Sequence, residues 1–178
     1  MAFLNPTLGL LLLLAGSQMS RAQVIDEYRV KAAFLYNFAK FVEWPVGSFK
    51  NAEDPIIICV LGNPFGDRLE NTVNGKEIDG RRLIVRQISD ISEAAGCHIL
   101  FVATGKKRVT DLLGSVKASP VLTIGESGNF AEAGGVIGFK LESGKVRLQI
   151  NIYAAERAHL RVSSKLLGLA EIVKEDAK

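Results

Sequence analysis

The sequence predicts an α/β fold: a single-domain sandwich with a mostly parallel central sheet, helices on both faces, and a C-terminal β-hairpin and helices. Three observations carry this reading. Short apolar runs such as IIICVLG and CHILFVA alternate with segments of helical period, as parallel strands buried on both faces do when crossover helices join them. Late in the chain VIGFKLESGKVRLQIN changes to strict apolar and polar alternation around Ser143-Gly144, which is hairpin pattern and hairpin turn chemistry. Finally, 178 residues suit one core at the usual ~100 to 200 residues per domain.

The first element is a leader. MAFLNPTLGLLLLLAGSQMSRAQ holds an unbroken apolar run from Leu8 to Ala15 and a small-x-small pattern at Ser20-Arg21-Ala22, so residues 1–22 read as a secretory signal peptide cut after Ala22. The run is shorter than a membrane span of ~20 apolar residues, which leaves a retained anchor as the minor alternative. A 22-residue leader taken from 178 leaves 156 residues, 23–178, for the domain. Losing Arg21 lowers the net charge from +3 to +2. That balance gives no electrostatic footprint for nucleic acid.

Ile25 to Trp44 follows as a helix, ending where Pro45 restricts the preceding residue. On a helical wheel Val30, Phe34, Leu35, Phe38, Phe41 and Val42 share one arc, the expected core face, in which Lys31 snorkels its ammonium to water. Ala32, Tyr36, Ala39 and Glu43 lie on the far side with Trp44 near its edge, a surface suited to a partner because small residues admit close approach and aromatics anchor interfaces. Next come strand Ile56 to Leu61, a turn at Gly62-Asn63-Pro64, and a short helix from Phe65 to Val73. Strand Leu83 to Ile88 follows the Asp79-Gly80 turn. Then come strand Cys97 to Ala103, a helix from Lys107 to Val116, and strand Val121 to Ile124.

In the hairpin a two-residue turn places Ile137, Phe139 and Leu141 opposite Ile150, Leu148 and Val146 on the buried side. The same register sets Lys140 opposite Arg147, and that unfavourable pairing calls for an acidic neighbour from this chain or another. The remainder reads as a short helix ending near His159, then a longer one capped by Ser163 or Ser164, with Leu166, Leu169, Ala170 and Val173 on one face.

Few residues carry chemistry. Cys97 and His98 are adjacent on a strand and point to opposite faces, which argues against a shared metal ion. Ser163 and Ser164 have Lys165 and His159 nearby, but helix capping accounts for the serines without catalysis. No CxxC motif is present. Open α/β sheets bind ligands beyond the carboxyl ends of their strands. The loops LGNPFG and ATGKKR are therefore candidates for an anionic ligand, through Asn63 and through Lys106, Lys107 and Arg108. Cys59 and Cys97, carried into an oxidising compartment, make a disulfide the default reading. Strands aligned at their starts would nevertheless leave the pair ~10 Å out of register, and two buried free thiols remain open.

The stretches EYRVKAAFLYNFAKFVEWP, IIICVLG, GCHILFVA, VLTIGE, GGVIGFKLESGKVRLQIN and AAERAHLRVSSKLLGLAEIV, in this order behind a leader, resemble the YfiR-like family of periplasmic proteins over essentially the whole mature chain. The resemblance implies a periplasmic repressor, without cofactor or catalysis, that binds the sensory domain of an inner-membrane diguanylate cyclase or a sensor kinase and lowers its output. It implies a disulfide between Cys59 and Cys97, and it places His159 where a glycine is expected. An outer-membrane lipoprotein and a second copy of the chain, in a homodimer, are further partners it allows. The partner-binding residues expected are Tyr36, Trp44, Lys140 and Arg147. The alternative function is a periplasmic small-molecule sensor that passes ligand occupancy to a membrane kinase or receptor.

Overall fold

The structure is a computed structural model that describes residues 15–103 and 109–174, with side chains from residue 27 onward. Helix α1 spans Ala15–Phe41. The expected extension to Trp44 does not occur, because Val42–Glu43 leave the helix as strand β1 and pair antiparallel with β9, Arg161–Val162. The backbone N–H of Ser163 completes this exit by donating to the Phe41 carbonyl at 2.9 Å.

Strand β2, Ile56–Leu61, leads through α2, Arg68–Val73, to the two-residue strand β3, Glu77–Ile78. The chain then reverses through Asp79 and Gly80 at φ 51° and 77° into β4, Arg81–Ile88. Positive φ at both turn positions is what an Asp-Gly hairpin turn requires. A 3-10 turn at Ile91–Ala94, capped reciprocally by Asp90 and Glu93, precedes β5, Ile99–Val102. Helix α3 covers Val109–Val116 and β6 covers Leu122–Gly125. The hairpin is β7, Ile137–Glu142, and β8, Lys145–Ile150. Last come α4, Ile152–Arg157, α5, Ser164–Leu167, and β10, Glu171–Ile172.

The main sheet runs β10-β8-β7-β6-β5-β2-β4-β3. Strands β4, β2, β5, β6 and β7 are mutually parallel, while β3 and β8 join antiparallel. The hairpin register is the expected one, with Ile137, Phe139 and Leu141 opposite Ile150, Leu148 and Val146. Alternation along the strands separates two apolar cores. Ile58, Phe101, Leu122 and Phe139 face α1 and α2, whereas Leu100, Val102, Leu113 and Phe130 fill the opposite face with the two cysteines. Phe130 sits so close to the backbone that a Cβ at Gly125 or Gly135 would stand 2.1 Å from its ring, which restricts both positions to glycine.

Two expectations about packing are corrected. The buried side of α1 is Lys31, Ala32, Leu35, Phe38 and Ala39, continued by Val42 of β1, while Phe34 and Phe41 are half-buried and Val30 is exposed. Alanines let the helix approach the sheet closely, so the small residues serve the core and not a partner. Lys31 does not reach water; it is 4% exposed and paired inside the protein. The long last helix is also absent. Ser163 caps Leu166 as expected, but α5 stops after one turn at Gly168, and the chain becomes β10, parallel to β8. Leu169 consequently projects to solvent, and Val173 is buried because it donates to Ile150 of the sheet edge. His159 adopts φ 56°, the left-handed turn for which glycine is the usual residue.

Candidate functional site

Strand order reverses at β2: α2 leads outward to β4, and β5 returns on β2's other side. Gly62, after β2, and Ala103, after β5, therefore meet at the carboxyl-end crevice. Gly62 at φ 96° lies against Ala103, whose Cβ would be 3.2 Å from a Cβ on the glycine. Asn63 is exposed at its mouth. Lys106, Lys107 and Arg108 lie outside the described residues.

Side chains fill this crevice. Phe65 is fully buried, with its ring edge-on to Phe101 at 4.8 Å and to Tyr28 at 5.4 Å. Beside it the Tyr28 hydroxyl donates to Glu126 at 2.9 Å, and the Lys31 ammonium reaches Glu126 at 2.6 Å and pairs with Glu27 one turn back. Burial, then the negative charge of Glu126 and the hydrogen bond to it, push the Tyr28 phenol far above its ordinary range. A lysine inside the apolar arc of α1 was the sequence signal for this cluster. Snorkelling was the wrong account of it because two carboxylates wait inside.

The amino end of the sheet is built differently. A cavity of about 800 Å³ opens where the chain enters β2, β5 and β6, between Pro55-Ile57, Cys97-His98 and Pro120-Val121. His98 is buried in its wall and spends both ring nitrogens. Nδ1 accepts from the Ile57 N–H at 3.1 Å, and Nε2 donates to the Ser48 carbonyl at 3.2 Å. This assigns the neutral tautomer, and burial accordingly lowers the pKa of the ring, with the Arg81 charge adding to the effect while the Ser48 bond and Asp54 oppose it. Phe49 stacks on His98 at 4.3 Å, and the Arg81 guanidinium sits 3.8 Å from the Phe49 centroid. Trp44 closes the cluster by donating from Nε1 to the His98 carbonyl at 3.2 Å. Sequence reading treated His98 only as a non-ligand; a histidine followed by an apolar strand was the available signal for a satisfied, neutral wall residue.

Cys59 and Cys97 are bonded, with Cα atoms 5.8 Å apart. The register objection was sound as far as it went, since Cys59 lies opposite Leu100, three residues past Cys97. It fails because the strand begins at Ile99. Gly96 at φ 77° and the Cys97 N–H bond to Ala94 turn the chain across the sheet face before the ladder starts. Arg86, next to Cys59 in the sheet, has Nη2 within 3.3 Å of both sulfurs and donates to the Ala95 carbonyl at 2.8 Å. The disulfide and this guanidinium fix one wall of the cavity.

The expected partner residues do not converge. Tyr36 is half-buried between the Lys40 and Lys76 ammoniums, 4.2 and 4.3 Å from its ring centroid, and Trp44 belongs to the amino-end cluster. Lys140 stands opposite Arg147 as expected, and the required acidic neighbour is Glu142, 2.8 Å from the Lys140 ammonium. Phe139 points toward α1, where its ring centroid is 5.9 Å from that of Phe38, so the adjacent Lys140 leaves the sheet on the other face. Tyr36 and the hairpin charges thus lie on opposite sides of the sheet. Ser163 is committed to its cap, and among the described residues no three His, Cys, Asp or Glu side chains are grouped to hold a metal ion.

No helix among the described residues is long and apolar enough to cross a membrane. No curated protein matches the chain significantly. Among solved structures, a conserved domain protein from Vibrio cholerae O1 biovar El Tor strain N16961 is similar in fold, with a TM-score of 0.55 at 10% identity. The similarity covers 81% of this chain and 60% of that one, so the chain spans somewhat less than two thirds of its neighbour's length. The family model described as YfiR/HmsC-like matches residues 28–171, from Tyr28 of the carboxyl-end cluster to Glu171 of the last strand, and the chain belongs to that family.

Proposed function

We propose that this protein is a non-catalytic regulator, exported through its leader to the periplasm, that binds the periplasmic sensory domain of an inner-membrane signalling enzyme and holds it inactive. The enzyme class is a diguanylate cyclase, with a sensor kinase as the other candidate. Membership in the YfiR/HmsC-like family over residues 28–171 carries the reading. The Cys59–Cys97 bond supports it, because disulfides persist in oxidising compartments. Inhibition requires tighter binding to the inactive than to the active state of the enzyme, since a ligand with equal affinity for both shifts nothing.

Deleting the gene should raise cellular cyclic-di-GMP, or the output of the cognate kinase, and the mature chain used as bait on solubilised membranes should capture that enzyme. Unchanged cyclic-di-GMP and kinase output in the deletion strain would remove this function. A small-molecule sensor is the second reading, and the 800 Å³ cavity at the amino end is the observation that favours it.

A further inference from the structure

We propose that the amino-end cavity is a binding site for a neutral, mainly apolar small molecule that carries a hydroxyl, carbonyl or N–H group. The inference deepens the sensor reading. Its test uses the isolated chain, so failure to bind a ligand and failure to signal to a partner are separate results.

Size and shape come first. A cavity of about 800 Å³ falls within the ~300 to 1,000 Å³ of small-molecule sites, which are mostly apolar and carry a few placed polar groups. Ile57, Ile91, Val116 and Val121 supply apolar lining. Apolar surface of this extent facing water favours an occupant that removes it from water. The walls are also set in advance: His98 is held by hydrogen bonds at both nitrogens, and Cys97 is held by the disulfide and by Arg86 above it. A site that need not reorganise loses less affinity on binding.

Polar chemistry then selects the ligand. Ser48 lines the cavity with its side-chain hydroxyl buried and without a hydrogen-bond partner, so it can donate or accept. The hydroxyls of Ser92 and Ser115 already donate to Asp90 Oδ1 and to the Asp111 carbonyl, so toward a ligand they accept. Charged groups around the cavity are already engaged. Asp54 accepts from the N–H groups of Lys50 and Asn51, and Arg81 donates to the carbonyls of Asn51 and Asp54 while lying over Phe49. His98 is neutral, and Lys50 is exposed at the rim. No buried counter-charge is therefore left for an ionic group, and an ion moved into the cavity would lose its hydration uncompensated.

Trp44, the chain's single tryptophan, packs edge-on against Phe49 and His98 at 6.3 and 6.2 Å and so reports on the cavity wall. The test uses two probes that differ by one charged group: N-phenyl-1-naphthylamine, which is neutral with one N–H, and its anionic relative 8-anilinonaphthalene-1-sulfonate. The neutral probe should bind at one site per chain and quench Trp44, and the sulfonate should bind at least about tenfold more weakly because the cavity offers its charge no buried counter-charge. Ser115→Phe and Ser92→Phe, each of which narrows the cavity from an exposed position, should weaken the neutral probe by about tenfold or more with the melting temperature unchanged. Leu169→Ser, on an exposed apolar residue outside the cavity lining, should leave binding as it was. The proposal is overturned if the neutral probe does not bind, if the sulfonate binds equally well, if binding survives both phenylalanine variants, or if Leu169→Ser abolishes it.

Discussion

The two ends of the parallel sheet use opposite devices at equivalent places. At the carboxyl end, where the strand order reverses and open α/β sheets usually receive a ligand, Phe65 and the Tyr28–Glu126–Lys31 cluster occupy the crevice with the protein's own side chains. At the amino end, Pro55, Gly96 and Pro120 bring the chain into the strands by turns around an open cavity, and the disulfide ties its Cys97 wall to β2. A reversal of strand order makes a crevice, but it does not keep one empty. In this fold Tyr28 and Lys31 of α1 close the carboxyl end, and the ligand-sized space lies at the other end of the sheet.

The largest effect should come from unpacking the closed end. Phe65→Ala removes a fully buried ring that contacts both Phe101 and Tyr28, and it should lower stability by ~3 to 5 kcal/mol in denaturant titrations. A loss under ~1 kcal/mol would mean that the crevice collapses readily and that its filling is incidental. Cys59→Ser tests the open end. Separated by 38 residues, the cysteines close a loop whose opening should lower stability by ~2 to 5 kcal/mol. If the comparison is right, this variant loses the neutral probe at concentrations where it remains folded, whereas Phe65→Ala keeps it.

Acid and alkali should loosen the two ends separately. Tyr28 has a raised pKa, caused first by burial and then by Glu126, so the folded state holds the phenol's proton more tightly than the unfolded chain does. That contribution is complete below the unfolded value of ~10 and is lost as pH rises beyond it. His98 has the opposite sign. Burial lowers its pKa, so its contribution is present above the unfolded value of ~6.5 and is lost as pH falls. Of the three tyrosines, Tyr28 should ionise last in an absorbance titration, and Tyr28→Phe should remove that late phase. Melting temperature should fall between about pH 7 and pH 5, and His98→Gln should flatten the fall. An equally steep fall in the variant would place the acid sensitivity elsewhere.

The sheet was legible because period and turn chemistry are local properties. Ser143-Gly144 fixes a two-residue turn, and with it the pairing of Lys140 with Arg147. What the sequence hid depends on distant partners. Leu166, Leu169, Ala170 and Val173 have helical spacing, yet the unsatisfied edge of β8 draws Glu171 and Ile172 into a ladder instead. Val42 and Glu43 likewise leave α1 for β9, a two-residue strand too short to show a period. For the sites, Lys31 could not be placed without knowing that Glu126 lies opposite it in space, 95 residues away. The cavity was invisible because turns at three separate places in the chain build it.

The smallest structural effect is expected far from both ends, on the outer face of the hairpin. Arg147 is exposed, opposite Lys140, and Glu142 already neutralises that lysine from its own strand. Arg147→Glu gives Lys140 a second acidic neighbour across the ladder, so stability should stay within ~0.5 kcal/mol of the original. Function should respond quite differently if this face meets the signalling enzyme, because reversing a rim charge turns attraction into repulsion and slows association. The variant should then raise cyclic-di-GMP toward the level of the deletion strain while its melting temperature and probe binding are unchanged. Full repression by the charge-reversed protein, with membrane capture as before, would clear the hairpin of any role in binding. Tyr36 on α1, on the other side of the sheet, would then be the next position to test.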